Sequence, residues 1–273
     1  MTPFYDTHAH LDSPDFAGDL PATLARALEA GITKIISIGT DLESSRRAIG
    51  LAEQYPGLFA AVGWHPSAAL EAPDDIRPQL RELARHPKVV ALGETGLDYH
   101  RLPSTRQMGG ETEDQRYKAR QGILFRQHLE VAAETALNCV IHQRGDCFED
   151  TLSQMIGFSG KTRGVFHCFA GDRDALARVL ALGGLVSFTG IATFKNGQNV
   201  RDSIAAAPLG CFMLETDSPF LAPVPHRGRR CEPAFVKELA EVVRQVKGCS
   251  IGELSESTCA AAHAFFPKLA TPA

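Results

Sequence analysis

No uninterrupted apolar run in this chain approaches the roughly 18 residues that a membrane-spanning helix needs. Its opening, Met-Thr-Pro-Phe-Tyr-Asp, has no basic stretch followed by an apolar one, so secretion is not expected. Cysteine is sparse and unpaired in pattern: seven are scattered with no Cys-x-x-Cys spacing, which excludes a disulfide scaffold and predicts reduced, packing thiols in a cytoplasmic protein. There is no excess of positive charge either. Lys and Arg number 28 against 32 Asp and Glu, a formal net charge of −4, which argues against a broad basic surface coating nucleic acid. Tryptophan occurs once. What is present is ordinary for a globular protein: 273 residues, 44% hydrophobic and 22% charged, enough for a large core and incompatible with disorder.

Short apolar runs recur at Phe4–Thr7, Lys34–Ile38, Phe59–Val62, Val89–Leu92, Cys139–Ile141, Gly164–Phe166, Leu185–Phe188 and Cys211–Leu214. Most are continuous rather than alternating, the pattern of parallel strands covered on both faces. Amphipathic stretches lie between them. Leu20, Leu24 and Leu28 repeat at helical spacing before Gly31, and Phe235, Leu239, Val242, Val243 and Val246 do so between Pro233 and Gly248. Strand starts fall roughly 21 to 30 residues apart, the size of a βα unit, with one longer interval between about 88 and 139. Eight strands, each followed by a helix signal that is weak only after the seventh, predict a (β/α)8 TIM barrel spanning 1–273 as a single domain. A doubly wound open sheet is the arrangement that periodicity leaves open. The polar stretch Arg101–Gln121, with Gly109-Gly110 and both charge signs, reads as a loop insertion after the fourth strand that overhangs the active face.

The polar residues fall at particular places. The first strand runs into Asp6-Thr7-His8-Ala9-His10, the third into Trp64-His65-Pro66 and the fourth into Gly93-Glu94. The fifth ends at His142, the sixth at His167 and the eighth at Glu215-Thr216-Asp217. In a parallel barrel these ends share one face, where barrel enzymes carry their chemistry. His8 and His10, spaced i, i+2 on a strand, point to one side and can chelate one cation. His8, His10, His142 and His167 with Glu94 and Asp217 supply imidazole and carboxylate donors suited to Zn²⁺, Mn²⁺, Mg²⁺ or a related divalent ion. They outnumber what one open catalytic site needs, which favours two ions per chain.

These motifs resemble those of the TatD-type metal-dependent deoxyribonucleases, within the amidohydrolase-like barrel superfamily. The likeness rests on Asp6-Thr7-His8-Ala9-His10-Leu11-Asp12, Gly63-Trp64-His65-Pro66 and Gly93-Glu94-Thr95-Gly96-Leu97-Asp98-Tyr99. It continues through Ile141-His142-Gln143-Arg144, His167-Cys168-Phe169-Ala170-Gly171, Glu215-Thr216-Asp217-Ser218-Pro219 and Arg227-Gly228-Arg229-Arg230-Cys231-Glu232-Pro233, in family order and over nearly the whole chain. The resemblance implies that His8, His10 and Asp217 hold one metal, His142 and His167 the other, and that Glu94 bridges them. It further implies hydrolysis of DNA phosphodiesters, often from the 3′ end, so the expected partner is nucleic acid, as single-stranded DNA or DNA ends. The chain departs from the family in having Cys231 where Asn is usual, and in Ser257-Thr258-Cys259-Ala260-Ala261 where the family pattern is Thr-Thr-x-Asn-Ala.

Asp217 and Glu94 are the expected catalytic residues, with Asp217 placed to take a proton from water as general base. His65, Arg144, Lys195 and Arg227 are the expected substrate contacts. Arg144 lies two residues beyond His142 and offers a bidentate fork for phosphate. Lys195 sits in the loop after the seventh strand, where barrel phosphate sites form. Arg227 belongs to the compact basic run His226–Arg230, whose adjacency to the active face makes it a candidate for the substrate backbone. Trp64 could stack on a base or simply pack under its loop, and His86, His128 and His263 fall on helical stretches with no chemistry assigned. The rival reading is an amidohydrolase acting on a C–N or ester bond, since such a metal pair also activates water toward carbonyls. Many such enzymes bridge their metals with a carboxylated Lys, whereas this strand end carries Glu94.

Overall fold

Eight strands run parallel and pair in chain order from the first to the eighth. They are β1 (Phe4–Ala9), β2 (Ile32–Ile38), β3 (Leu58–Val62), β4 (Val89–Asp98), β5 (Asn138–Arg144), β6 (Gly164–Phe166), β7 (Leu185–Phe188) and β8 (Phe212–Leu214). The computed structural model describes residues 2–270 of the chain. Ends of the sheet meet just beyond β8: Ala9 bridges to Ser218, His10 N donates to Ser218 O at 2.7 Å, and Asp217 N donates to His8 O at 2.9 Å. This brings the sheet round into a TIM-type barrel, as the strand spacing predicted.

Helices follow the strands: α1 (Leu20–Glu29), α2 (Leu42–Gln54), α3 (Arg77–Ala84), α4 (Glu111–Thr135), α5 (Phe148–Ile156), α6 (Arg173–Ala181), α7 (Gln198–Ala206), α8 (Val236–Lys247) and α9 (Ile251–Phe265). The helix weakly signalled after the seventh strand is α7. It is short and buries only Val200, Ser203 and Ile204, which is why no apolar stripe announced it. Alternate residues of each strand serve two cores. Ile35, Ala60, Val62 and Leu92 face the helices, while Ile36, Ile38, Phe59, Val90, Val140, Val165 and Met213 fill the barrel interior. Phe265, Phe266 and Leu269, after and within the end of α9, close that interior from the N-terminal side of the strands. Lys34 Nζ fastens this plug by donating to Leu269 O at 2.6 Å. The polar residues at the opposite strand ends therefore stand on an apolar floor.

Only the second half of the stretch 101–121 departs from its expectation as a loop; residues 101–110 connect β4 to α4. From Glu111 onward it is the first part of α4. Gly110 starts the helix, its N–H donating to Glu113 Oε2 at 2.8 Å, and Glu111, Glu113 and Asp114 place negative charge in the first turn, where the helix dipole favours it. Apolar residues are sparse there because this end of α4 binds its neighbours through polar groups. Tyr117 Oη donates to Pro66 O and Ser67 O, and the Gln121 amide pairs with both N–H and C=O of Asp98 at 2.8 and 3.1 Å. The helical half of the segment braces the loops after β3 and β4. Removing 101–121 would remove those braces with it.

Candidate metal centre

The C-terminal strand ends bring His8, His10, His65, Glu94, His142, His167 and Asp217 into one cluster. Two backbone approaches make room for it. Gly93 has φ of 143°, and a Cβ on it would stand 2.7 Å from Val140 O; one on Gly63 would stand 2.6 Å from the Gly93 carbonyl carbon. Only glycine fits either position, and β4 shifts register between Leu92 and Thr95, where Glu94 sits. Asp217 takes φ of 57°, a left-handed conformation that Asp tolerates better than most residues, and so turns back from β8 toward His8 and His10.

Glu94 is the pivot. Its Oε1 lies 2.8 Å from His142 Nδ1, 2.9 Å from His167 Nε2 and 3.4 Å from His65 Nε2. Its Oε2 lies 3.4 Å from His8 Nε2 and 3.7 Å from His10 Nε2. Asp217 Oδ1 completes the second set, 3.6 Å from His8 Nε2 and 3.3 Å from His10 Nε2. The ring nitrogens also converge on one another, His8 Nε2 with His10 Nε2 at 3.3 Å and His142 Nδ1 with His167 Nε2 at 3.3 Å. Burial of so many donors and acceptors is costly unless they are paired. Protons shared between them can satisfy only part of the set, whereas convergent nitrogen lone pairs and carboxylate oxygens are the donor chemistry of a divalent cation. Three overlapping groups meet this description: His8, His10 and Asp217; His8, Glu94 and His167; and His65, Glu94 and His142.

The electrostatics follow from crowding. Burial pushes the Glu94 carboxyl up, but His167, His65 and His142 around it outweigh burial and hold it well below the usual carboxylate range. Asp217 is likewise held down against its burial, by His10, His8 and His167. Burial draws His167 down, and Glu94 and Glu215 more than reverse this, raising it well above an ordinary histidine. His8 and His65 go the other way because burial prevails.

Behind the cluster stand three buried carboxylates that the sequence reading left without a role. Asp98 Oδ2 lies 3.3 Å from His142 Nε2, the ring nitrogen turned away from Glu94, and accepts from His100 N and Arg101 N through Oδ1. Glu215 Oε1 lies 3.5 Å from His167 Nδ1 and is fixed by Cys168 N at 2.7 Å and Ser187 Oγ at 2.5 Å. Asp6 accepts from Thr216 N, Thr216 Oγ1 and His8 N, tying β1 to the turn that carries Asp217. A carboxylate on the outer nitrogen selects the tautomer that leaves the inner lone pair free. Asp98 was discernible in principle: it is four residues from Glu94 on one strand, but the apolar run ended at Leu92 and hid the strand's length.

Of the expected substrate contacts, His65 lies inside the cluster, closer to Glu94 than a rim position implied. Arg144 and Lys195 are exposed, and their side chains make no hydrogen bond or ion pair among the described residues. Arg227 is partly committed, its guanidinium 3.8 Å over the Phe194 ring and donating to Ala222 O at 3.0 Å. The rest of the basic run is mostly engaged within the protein. Arg230 pairs with Asp19 and covers Phe16, and His226 stacks on Phe235 beside Glu238. Trp64 packs, with Nε1 donating to Ala68 O at 2.9 Å and its backbone N–H to His128 Nε2 at 2.9 Å.

A parallel eight-stranded barrel with a histidine–carboxylate cluster at its C-terminal mouth defines the class of barrel hydrolases that use divalent metals. The sequence model of the family described as "TatD related DNase" matches residues 5–267, and the chain belongs to that family of metal-dependent hydrolases. It is 33% identical over 255 residues to the uncharacterized metal-dependent hydrolase YabD of Bacillus subtilis, covering 93% of this chain and 95% of that protein. It is 34% identical over 269 residues to the 3′-5′ ssDNA/RNA exonuclease TatD of Erwinia tasmaniensis, covering 96% and 99%. The crystal structure of YJJV, a TatD homologue from Escherichia coli, superposes with a TM-score of 0.86 at 30% identity, covering 97% of this chain and 98% of that one.

Proposed function

We propose that this chain is a 3′-to-5′ exonuclease that hydrolyses phosphodiester bonds at the ends of single-stranded DNA, using two divalent ions drawn from Zn, Mg or Mn. The observation that carries this reading is the division of Glu94, with Oε1 turned to His65, His142 and His167 and Oε2 to His8 and His10. One carboxylate between two nitrogen sets is suited to bridging two ions. His8, His10 and Asp217 would hold one and His142 and His167 the other. Bound divalent ions supply a water acidified from about 15.7 toward about 7 and counter the charge that builds on phosphoryl oxygens.

The chain's own residues do the rest. Asp217 keeps its second oxygen, Oδ2, without a hydrogen bond among the described residues, on a side chain 15% exposed at the edge of the centre. That oxygen takes the proton of the attacking water as general base. Asp98 holds the outer nitrogen of His142 and Glu215 stands 3.5 Å from that of His167, while the inner nitrogens are turned toward Glu94. Arg144 and Lys195, without side-chain partners among the described residues, are available to clamp the non-bridging oxygens. The apolar floor beneath the cluster excludes bulk water from one side.

Oligodeoxynucleotides and oligoribonucleotides labelled at either end, assayed beside amide, ester and lactone substrates under one metal condition, test this reading. Metal-dependent release of mononucleotides from the 3′ end is the expected result. Turnover confined to the C–N or ester panel would replace it with the amidohydrolase reading.

A further inference from the structure

The chain has 15 Phe, 4 Tyr and 1 Trp, and every one of these rings is buried or half-buried except that of Phe220, which is 58% exposed. Single exposed apolar residues are common on protein surfaces. The position of this one is not ordinary. Its ring centroid lies 6.1 Å from that of His10, at an interplanar angle of 67°, beside the two members of the cluster whose side chains reach solvent on this side, His10 and Asp217.

The backbone that carries Phe220 is tied down. Phe220 N donates to Asp217 O at 2.9 Å, Cys231 N donates to Pro219 O at 2.9 Å, and Ala222 and Pro223 are buried. Arg227 fastens the same loop to the one after β7 through Ala222 O and the Phe194 ring. The exposed ring is therefore displayed from a fixed support next to the place where a phosphate would be held, not on a wandering loop.

We propose that Phe220 is the platform on which a base flanking the scissile phosphate stacks. This rests on the nuclease reading above. A base lies one sugar away from its phosphate, which suits a ring immediately beside His10. Phenylalanine has no hydrogen-bonding group, so the contact accepts any base and carries no sequence preference. A face taken by Phe220 must first leave its neighbouring base, which favours an unpaired end over a duplex.

Phe220→Ala and Phe220→Trp are compared with wild type on three single-stranded oligodeoxynucleotides. One is unmodified, one lacks the 3′-terminal base, and one lacks the penultimate base. On the unmodified strand Phe220→Ala raises KM roughly 5- to 150-fold, the range of one base–aromatic stack. Phe220→Trp restores it. The alanine effect disappears on whichever abasic strand lacks the stacked base. Binding of a strand with 2-aminopurine at that position and a non-hydrolysable scissile linkage, followed by fluorescence with divalent metal present, shows quenching with wild type and none with Phe220→Ala. An alanine effect of equal size on all three strands, or none on any, overturns the platform while leaving the nuclease reading intact. Wild-type enzyme inert on all three strands overturns the nuclease reading and the platform with it.

Discussion

His128 is fully buried in α4, and its surroundings dictate one neutral tautomer. Nδ1 lies 2.7 Å from Leu124 O and must donate, while Nε2 accepts from Trp64 N at 2.9 Å. Protonation would set a second ring N–H against the Trp64 N–H and break the link that holds the start of the His65 loop. Burial pushes this histidine down to about 4, whereas an unfolded histidine titrates near 6.5. With the folded value depressed, the unfolded chain binds the extra proton first as pH falls. The stabilisation is complete above about 6.5, declines as pH drops through the interval down to about 4, and loses nothing further below it. The linkage is worth roughly 2 kcal/mol by pH 5 and about 3 kcal/mol by pH 4, a large share of a typical folding free energy of about 5–15 kcal/mol. His128→Gln keeps an acceptor in place but does not titrate. Urea denaturation of both proteins in EDTA, from pH 7.5 to 5, isolates the effect as the difference between them. The wild-type advantage shrinks by about 2 kcal/mol over that range. A difference that stays flat with pH would show that His128 is not a neutral, buried link.

Asp217→Asn retains the fold by circular dichroism and loses at least about a hundredfold in turnover, as removal of a general base requires; wild-type rates in the variant would remove Asp217 from the chemistry. Asp98→Asn presents an amide N–H to His142 Nε2 and so favours the wrong tautomer, weakening Mn²⁺ or Zn²⁺ affinity by calorimetry about 10- to 100-fold, with activity recovering at high metal concentration. Unchanged affinity would reduce Asp98 to a turn residue. Phe265→Ala empties part of the barrel floor and costs about 3–5 kcal/mol in urea denaturation without altering metal affinity. Chelation abolishes turnover and lowers the melting temperature, and divalent metal restores both; a melting temperature indifferent to metal would argue that no ion is held by the cluster.

The barrel and its catalytic face were legible because both leave one-dimensional signals. Continuous β-branched runs such as Lys34–Ile38 and Val89–Leu92 report strands covered on both faces, and their spacing reports the intervening helices. Polar residues placed directly after such runs, His8 and His10, Glu94, His142, His167 and Asp217, stand out against them, and a parallel barrel gathers all its strand ends on one side. The first half of α4 and the short α7 were not legible. Their contacts with the barrel run through Tyr117, Gln121 and a few buried residues and leave no helical stripe of apolar positions.

What the sequence determined by itself is which residues stand at the strand ends and what donors they offer. What only the tertiary structure decided is how those donors divide. Glu94 turns one oxygen to each side, His65 joins the cluster rather than its rim, Asp98 and Glu215 back the histidines, and most of His226–Arg230 is spent on internal pairs while Phe220, among the aromatic residues, is left open. The reason is geometric. A side chain's direction depends on strand register, on backbone irregularities such as those at Gly93 and Asp217, and on partners more than a hundred residues away, and none of these is written in the local sequence.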